Sequence, residues 1–266
     1  MPSYDEEDMP DFLHMPNLGT KPRSVGLTHV LDTGMSVPAM AGLLASYSTL
    51  VDFWKFGFGT SYLEPRLQDK VALLEEFAIQ PCLGGTLLEI AWAQGRVNEC
   101  LAWAADSGIT VVEVSRGAVA MSREDKGGII RKATERFLVL AETGFKSAAH
   151  VLTPQEWRVE MSEDLADGAA FVVTEGRESG TVGLYDSNGR ARPEIVDVAV
   201  EAAGQERTIF EAPRKDQQAW FIQRFGSAVN LGNISTSEIL SLATLRTGLR
   251  ADTIHLSTAH ETSVRD

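Results

Sequence analysis

The sequence predicts a (β/α)8 barrel over residues 24–254, and three observations carry that prediction. Eight short β-branched or aromatic-rich segments alternate with amphipathic stretches. They recur about every 27 residues, as strand–helix units of a parallel sheet do. The chain has 266 residues, and barrels of this kind close at roughly 250. An open doubly wound sheet is the rival; it would want a GxGxxG turn after the first strand, and the chain has none.

In chain order, residues 1–23 (beginning MPSYDEEDMP) are acidic and proline-rich, with little to bury, and read as a tail. Phe12, Leu13 and Met15 could pack on a neighbouring surface. The strand candidates are 25–31, 50–56, 78–83, 109–114, 137–141, 169–174, 207–211 and 228–231. The helix candidates include 66–77, 96–106, 123–136, 155–167, 193–203 and 215–225. In the first of these, Leu67, Val71, Leu74 and Phe77 fall at helical spacing. Ser122 before Arg123, Glu124 and Asp125 has the pattern of a helix start. Residues 255–266 read as a C-terminal tail.

The composition is 44% hydrophobic and 23% charged, which is ordinary for a globular domain. A net charge of −13 and a pI near 4.9 argue against nucleic acid or an anionic membrane as a partner. An anionic substrate would need its own cationic pocket. Cys82 and Cys100 lack metal-ligand spacing and read as free thiols in a reducing compartment. With no signal-peptide pattern and no apolar run of about 18 residues, the expectation is a soluble cytoplasmic protein. Barrels often assemble through their outer helices, so a homo-oligomer is expected.

Function is read from the strand ends. Asp32 follows the first strand and Lys55 closes the second. Gly84, Gly85, Thr86 and Glu89 follow the third. Glu113 ends the fourth, and Glu142 with Lys146 the fifth. Glu175, Arg177 and Glu178 follow the sixth within VVTEGRESG (172–180). Glu211 ends the seventh, and Asn230 with Asn233 the eighth. In a barrel these ends share the face where active sites are built. Charges at a core boundary are paired, or they hold a ligand or metal. An ion network without catalysis is the alternative. Of the five histidines, none pairs at metal spacing, and His29 reads as a satisfied barrel histidine.

The segments GLTHVLDTG (26–34), VDFWKFGFGTS (51–61), GGTLLEIAWAQG (84–95), EGRESG (175–180), IFEAPRKDQQAWFI (209–222) and VNLGNI (229–234) resemble the phosphosulfolactate synthase family of the ComA type. The resemblance implies a (β/α)8 barrel that adds sulfite to phosphoenolpyruvate with magnesium, a carbon–sulfur lyase in class. That chemistry needs hard oxygen ligands for the metal, for which the choice is Glu113, Glu142 and Glu175, with Asp32 as a further member. It needs a proton donor, for which the choice is Lys146, in ETGFK (142–146), with Lys55 second and Glu211 a further catalytic group. Substrate contacts fall to Arg116, Arg177, Glu178, Asn230, Gly232, Asn233 and Arg250, with Lys215 as an alternative cation.

The chain departs from the family pattern at Thr33, Arg116, Phe145, Ala243 and Ala251. Thr33 and Phe145 remove cations near the expected anion site, and Arg116 adds one. A second reading follows, in which phosphoenolpyruvate and magnesium bind but another nucleophile attacks. A third is a non-catalytic binding or stress-associated barrel.

Overall fold

In the computed structural model, which describes residues 10, 12–145 and 151–258, eight parallel strands close into one barrel in sequential order. The strands are β1 (Thr28–Asp32), β2 (Phe53–Phe56), β3 (Gln80–Leu83), β4 (Val111–Val114), β5 (Leu138–Thr143), β6 (Phe171–Thr174), β7 (Thr208–Glu211) and β8 (Asn230–Ser235). The helices are α1 (Val37–Tyr47), α2 (Thr60–Leu63), α3 (Leu67–Glu76), α4 (Gly85–Ala93), α5 (Val97–Asp106), α6 (Arg123–Ala133), α7 (Pro154–Ala166), α8 (Pro193–Ala203), α9 (Lys215–Phe225), α10 (Ile239–Arg246) and α11 (His255–Thr258).

The predicted strands and helices all appear, with edges moved by a few residues. Helices α1, α2, α4, α10 and α11 are additional. VPAMAGLLASY and GTLLEIAWA carry almost no charge, so they lack the polar stripe by which an amphipathic helix is read. Starts are signalled more clearly. The Ser122 hydroxyl accepts from the Asp125 N–H at 3.0 Å, and Thr153 and Glu156 form a reciprocal cap for α7. Among the described residues, no helix is long and apolar enough to cross a membrane.

Strand side chains alternate in direction, and that alternation builds the barrel interior. Leu27, Phe53, Cys82, Val111, Leu140, Val173 and Ile209 form an apolar plug inside the barrel. Two residues further along their strands stand His29, Lys55, Glu113, Glu142, Glu175 and Glu211, all buried. The opposite strand faces pack under the helices; Val30, Trp54, Val112 and Val139 belong to one such core and Val172, Phe210 and Leu231 to another.

The N-terminal face is tied by two polar side chains. Asn230 accepts from the Leu27 N–H at 3.0 Å and donates to the Glu206 and Thr208 carbonyls at 2.9 and 3.3 Å. Because β8 begins at Asn230, this residue sits at the end opposite the strand termini, and its amide is consumed by backbone. The structure does not place it among substrate contacts. Arg246, 3% exposed, donates to the carbonyls of Ser227, Val229 and Leu27. Burial, with Arg23 nearby, lowers its pKa to about 10. Arg246→Met keeps the length but strands these carbonyls, and it should cost about 2–4 kcal/mol in a urea titration. An unchanged midpoint would mean that the β1–β8 seam does not depend on this clamp.

Candidate active site

Four side chains from four strands meet at the C-terminal mouth. Lys55 Nζ lies 3.0 Å from Glu113 Oε2 and 3.0 Å from Glu211 Oε1. Carboxylate oxygens of Glu113, Glu142 and Glu211 all lie within 4.8 Å of one another. These residues are at most 4% exposed. Burial alone would push the Lys55 ammonium down, but Glu113, Glu211 and Glu142 outweigh it and raise it well above the usual range. Burial raises the Glu211 carboxyl, Lys55 opposes that, and Glu142 and Glu113 add to it. Three carboxylates against one ammonium leave excess negative charge, and the donors are hard oxygens. That set fits a hard divalent cation.

Backbone donors orient the carboxylates. Glu113 Oε1 accepts from the Gly85 N–H at 3.1 Å, at the start of α4, where the helix dipole favours an anion. Glu211 Oε2 accepts from the N–H groups of Gly176 and Arg177 at 2.8 and 3.1 Å. Arg177 has a left-handed φ of 56°, which brings the two successive N–H groups together. Gly176 must be glycine, because a Cβ there would stand 2.8 Å from the Tyr185 ring. The Tyr185 hydroxyl donates to the Glu211 carbonyl at 2.5 Å.

Two members of the sequence-based metal set, Asp32 and Glu175, lie outside this carboxylate group. Asp32 accepts from the Gly34 and Met35 N–H groups at 2.8 and 2.7 Å, and from Trp54 Nε1 and Lys70 Nζ, each at 3.2 Å. It shapes the turn after β1 and neutralises buried Lys70, and it is not in the carboxylate group. Glu175 stands outside that group too; its Oε1 accepts from the Arg177 N–H at 2.7 Å. Glu211, read as a catalytic residue, takes the third place.

The remaining candidates are scattered. Arg116 is bonded twice to Glu160, at 2.9 and 2.5 Å, and stacks on Phe145 with 5.0 Å from guanidinium carbon to ring centroid. Arg250 donates to Ser241 Oγ at 2.7 Å, and Lys215 pairs with Asp252 at 2.7 Å. The side chains of Arg177 and Glu178 are 42% and 51% exposed and stand 3.9 Å apart. Gly232 and Asn233 lie in β8, with Gly232 registered against Glu211. Lys146 lies outside the described residues.

A second buried network supports β5 from behind and was missed in the sequence. Lys126 Nζ donates to the Glu142 carbonyl at 2.8 Å, to Glu160 at 2.9 Å and to Asp164 at 2.7 Å. Burial disfavours its charge, but Asp164 and Glu160 outweigh that and raise its pKa. The signal was present in α7, whose buried stripe reads Trp157, Glu160, Met161, Asp164. Two acids on the face that meets a core need a buried cation.

Comparison with known proteins agrees with this geometry. Residues 16–252 match the family described as (2R)-phospho-3-sulfolactate synthase (ComA). The phosphosulfolactate synthase of Bacillus subtilis (strain 168) is 40% identical over 252 residues, spanning 93% of this chain and 100% of the relative. The phosphosulfolactate synthase of Methanothermobacter thermautotrophicus is 40% identical over 250 residues, spanning 92% and 96%. Among solved structures, 3-hexulose-6-phosphate synthase from Salmonella typhimurium superposes with a TM-score of 0.53 at 11% identity, over 88% of this chain and 99% of that one, a likeness of fold alone. The chain belongs to the phosphosulfolactate synthase (ComA) family of carbon–sulfur bond-forming enzymes.

Proposed function

We propose that the protein adds sulfite to phosphoenolpyruvate with Mg2+, forming phosphosulfolactate. The observation that carries this reading is the convergence of Glu113, Glu142, Glu211 and Lys55 at one mouth. The sulfite sulfur would supply the electron pair of the new carbon–sulfur bond at the methylene carbon. The alkene pair would move toward the substrate carboxylate, and a proton added at the neighbouring carbon would complete the product. Glu113, Glu142 and Glu211 would hold Mg2+, which when bound supplies Lewis-acid stabilisation of negative charge on the substrate carboxylate. Lys55, held as an ammonium by Glu113 and Glu211, is a poor proton donor; its role is to keep those carboxylates in register. Lys146 remains the proposed donor.

The phosphate would lie toward the ends of β7 and β8, near Gly232 and Asn233, as barrels often arrange it. The enzyme works in the cytoplasm as a homo-oligomer in this reading. Exposed Phe58, Tyr62 and Leu63, in the connection between β2 and α3, support assembly.

Steady-state assays with phosphoenolpyruvate, sulfite and Mg2+ should yield phosphosulfolactate, and chelation should abolish it. In calorimetric titration, Glu142→Gln should weaken Mg2+ binding tenfold or more. Wild-type protein that binds neither Mg2+ nor phosphoenolpyruvate would instead support a non-catalytic barrel. Lys55→Met should lower kcat by about 100-fold; full activity in that variant would remove Lys55 from the site.

A second reading rests on one observation. Arg116 is engaged by Glu160 and capped by Phe145, where the family pattern has an acid and a lysine. That exchange alters the charge near the expected position of the second reactant, and it suits a bulkier or less anionic nucleophile. Binding of phosphoenolpyruvate and Mg2+ without turnover of sulfite would favour it. Turnover with sulfite would discard it.

A further inference from the structure

The end of the barrel opposite the carboxylates holds a cavity of about 280 Å3. Its walls come from the segment before β1, from the Ser227–Ala228 turn before β8 and from α10. The segment before β1 is seated by two cations. Lys21 Nζ donates to the Ser48 and Phe77 carbonyls at 3.2 and 3.1 Å, outside the cavity lining, and Arg23, which does line it, pairs with Asp52 at 3.0 Å.

One charge in that lining has no counter-ion. Arg246 is 3% exposed, and among the described residues it forms hydrogen bonds to carbonyls but no ion pair. Three of its guanidinium N–H groups go to Ser227, Val229 and Leu27, and Nε has no partner among the described residues. The nearby carboxylate of Asp52 is already engaged. Its Oδ1 accepts from Arg23 Nε at 3.0 Å, and its Oδ2 accepts from Arg23 Nη2 at 3.1 Å and from the Thr28 N–H at 2.8 Å. With a pKa of about 10, Arg246 stays charged at neutral pH. A buried charge met only by dipoles is unfavourable, and an anion relieves it. Two guanidinium groups against one carboxylate leave the cavity with one positive charge in excess.

We propose that this cavity binds a small monocarboxylate with an apolar body, its carboxylate pairing with Arg246. Charge and surface together give the class. A single negative charge balances the excess, and a dianion would reverse it. A guanidinium fork matches a carboxylate in shape. Leu18, Leu50 and Ile239 line the same cavity and suit a short hydrocarbon group, which an inorganic anion lacks. The net charge of −13 disfavours anions over most of the surface, so the attraction is local to this cation. Ala243 also lines the cavity, one helical turn before Arg246 on α10. A carboxylate carried there by the chain would reach the same guanidinium, because residues three apart on a helix are neighbours.

Calorimetric titration of the full chain with benzoate, in the presence of EDTA, tests this. Without metal the opposite mouth carries three carboxylates against one ammonium, so it offers an anion no seat. Benzoate should bind saturably at one site per chain, and benzamide, its neutral counterpart, about tenfold more weakly or worse. Ala243→Glu should weaken benzoate by about tenfold or more, because the new side chain supplies the counter-charge and fills the cavity. In urea, Ala243→Glu should unfold at a higher midpoint than Ala243→Gln, which adds the same bulk without the charge. No saturable binding of benzoate, equal binding of benzamide, or undiminished binding in folded Ala243→Glu would overturn the proposal. So would a midpoint for Ala243→Gln at or above that of Ala243→Glu. Inorganic phosphate that displaces benzoate and binds more tightly would overturn the assignment to a monocarboxylate. None of these readouts needs metal or turnover, so failure of the sulfite reaction leaves them unaffected.

Discussion

One buried ammonium sets the conditions for the rest of the site. Lys55 stands 3.0 Å from carboxylates on β4 and β7, strands on well-separated parts of the barrel wall. Removing Lys55 would leave the two carboxylates uncompensated at a place with almost no water, at a cost of several kcal/mol. The ion pairs therefore fix the mutual position of strands that are not neighbours. They also bring Glu113 and Glu211 close enough to Glu142 that one ammonium leaves their repulsion only partly balanced, which a second cation would relieve. A stabilising contact and a functional tension come from the same lysine.

Much of this was legible from strand periodicity. Phe53 and Lys55, Val111 and Glu113, Leu140 and Glu142, Val173 and Glu175, and Ile209 and Glu211 repeat one rule: an apolar residue on the plug, then a charged one two positions on. An alternating chain carries both to the same face, so the sequence announces a charged layer above an apolar one. It does not announce which members of the layer touch. Glu175 and Glu211 look alike by that rule, and both accept from the Arg177 N–H, yet only Glu211 joins the carboxylate group.

Other residues misled for equally physical reasons. Asp32 and Asn230 are polar residues at strand boundaries, as site residues are, but their oxygens and amide are spent on backbone turns and on Lys70. Arg116 is a cation at the mouth whose charge is already met by Glu160. Such pairings join residues far apart in the chain, and composition and spacing carry no record of them. The acids on the inward face of α7 were the one visible trace of the network behind β5. A charged residue on a stripe that must meet the core reports a hidden partner even when the partner cannot be named.

The support of the site is thus built in two directions. Lys126 holds the Glu142 backbone from outside the barrel, and the Gly176 and Arg177 N–H groups hold the Glu211 carboxylate at the mouth. The most direct test of the central claim is a crystal soaked in Mn2+ as a stand-in for Mg2+, with anomalous scattering measured at the manganese edge. The account predicts one strong peak bounded by the carboxylates of Glu113, Glu142 and Glu211. A peak elsewhere, or none at saturating metal, would contradict it.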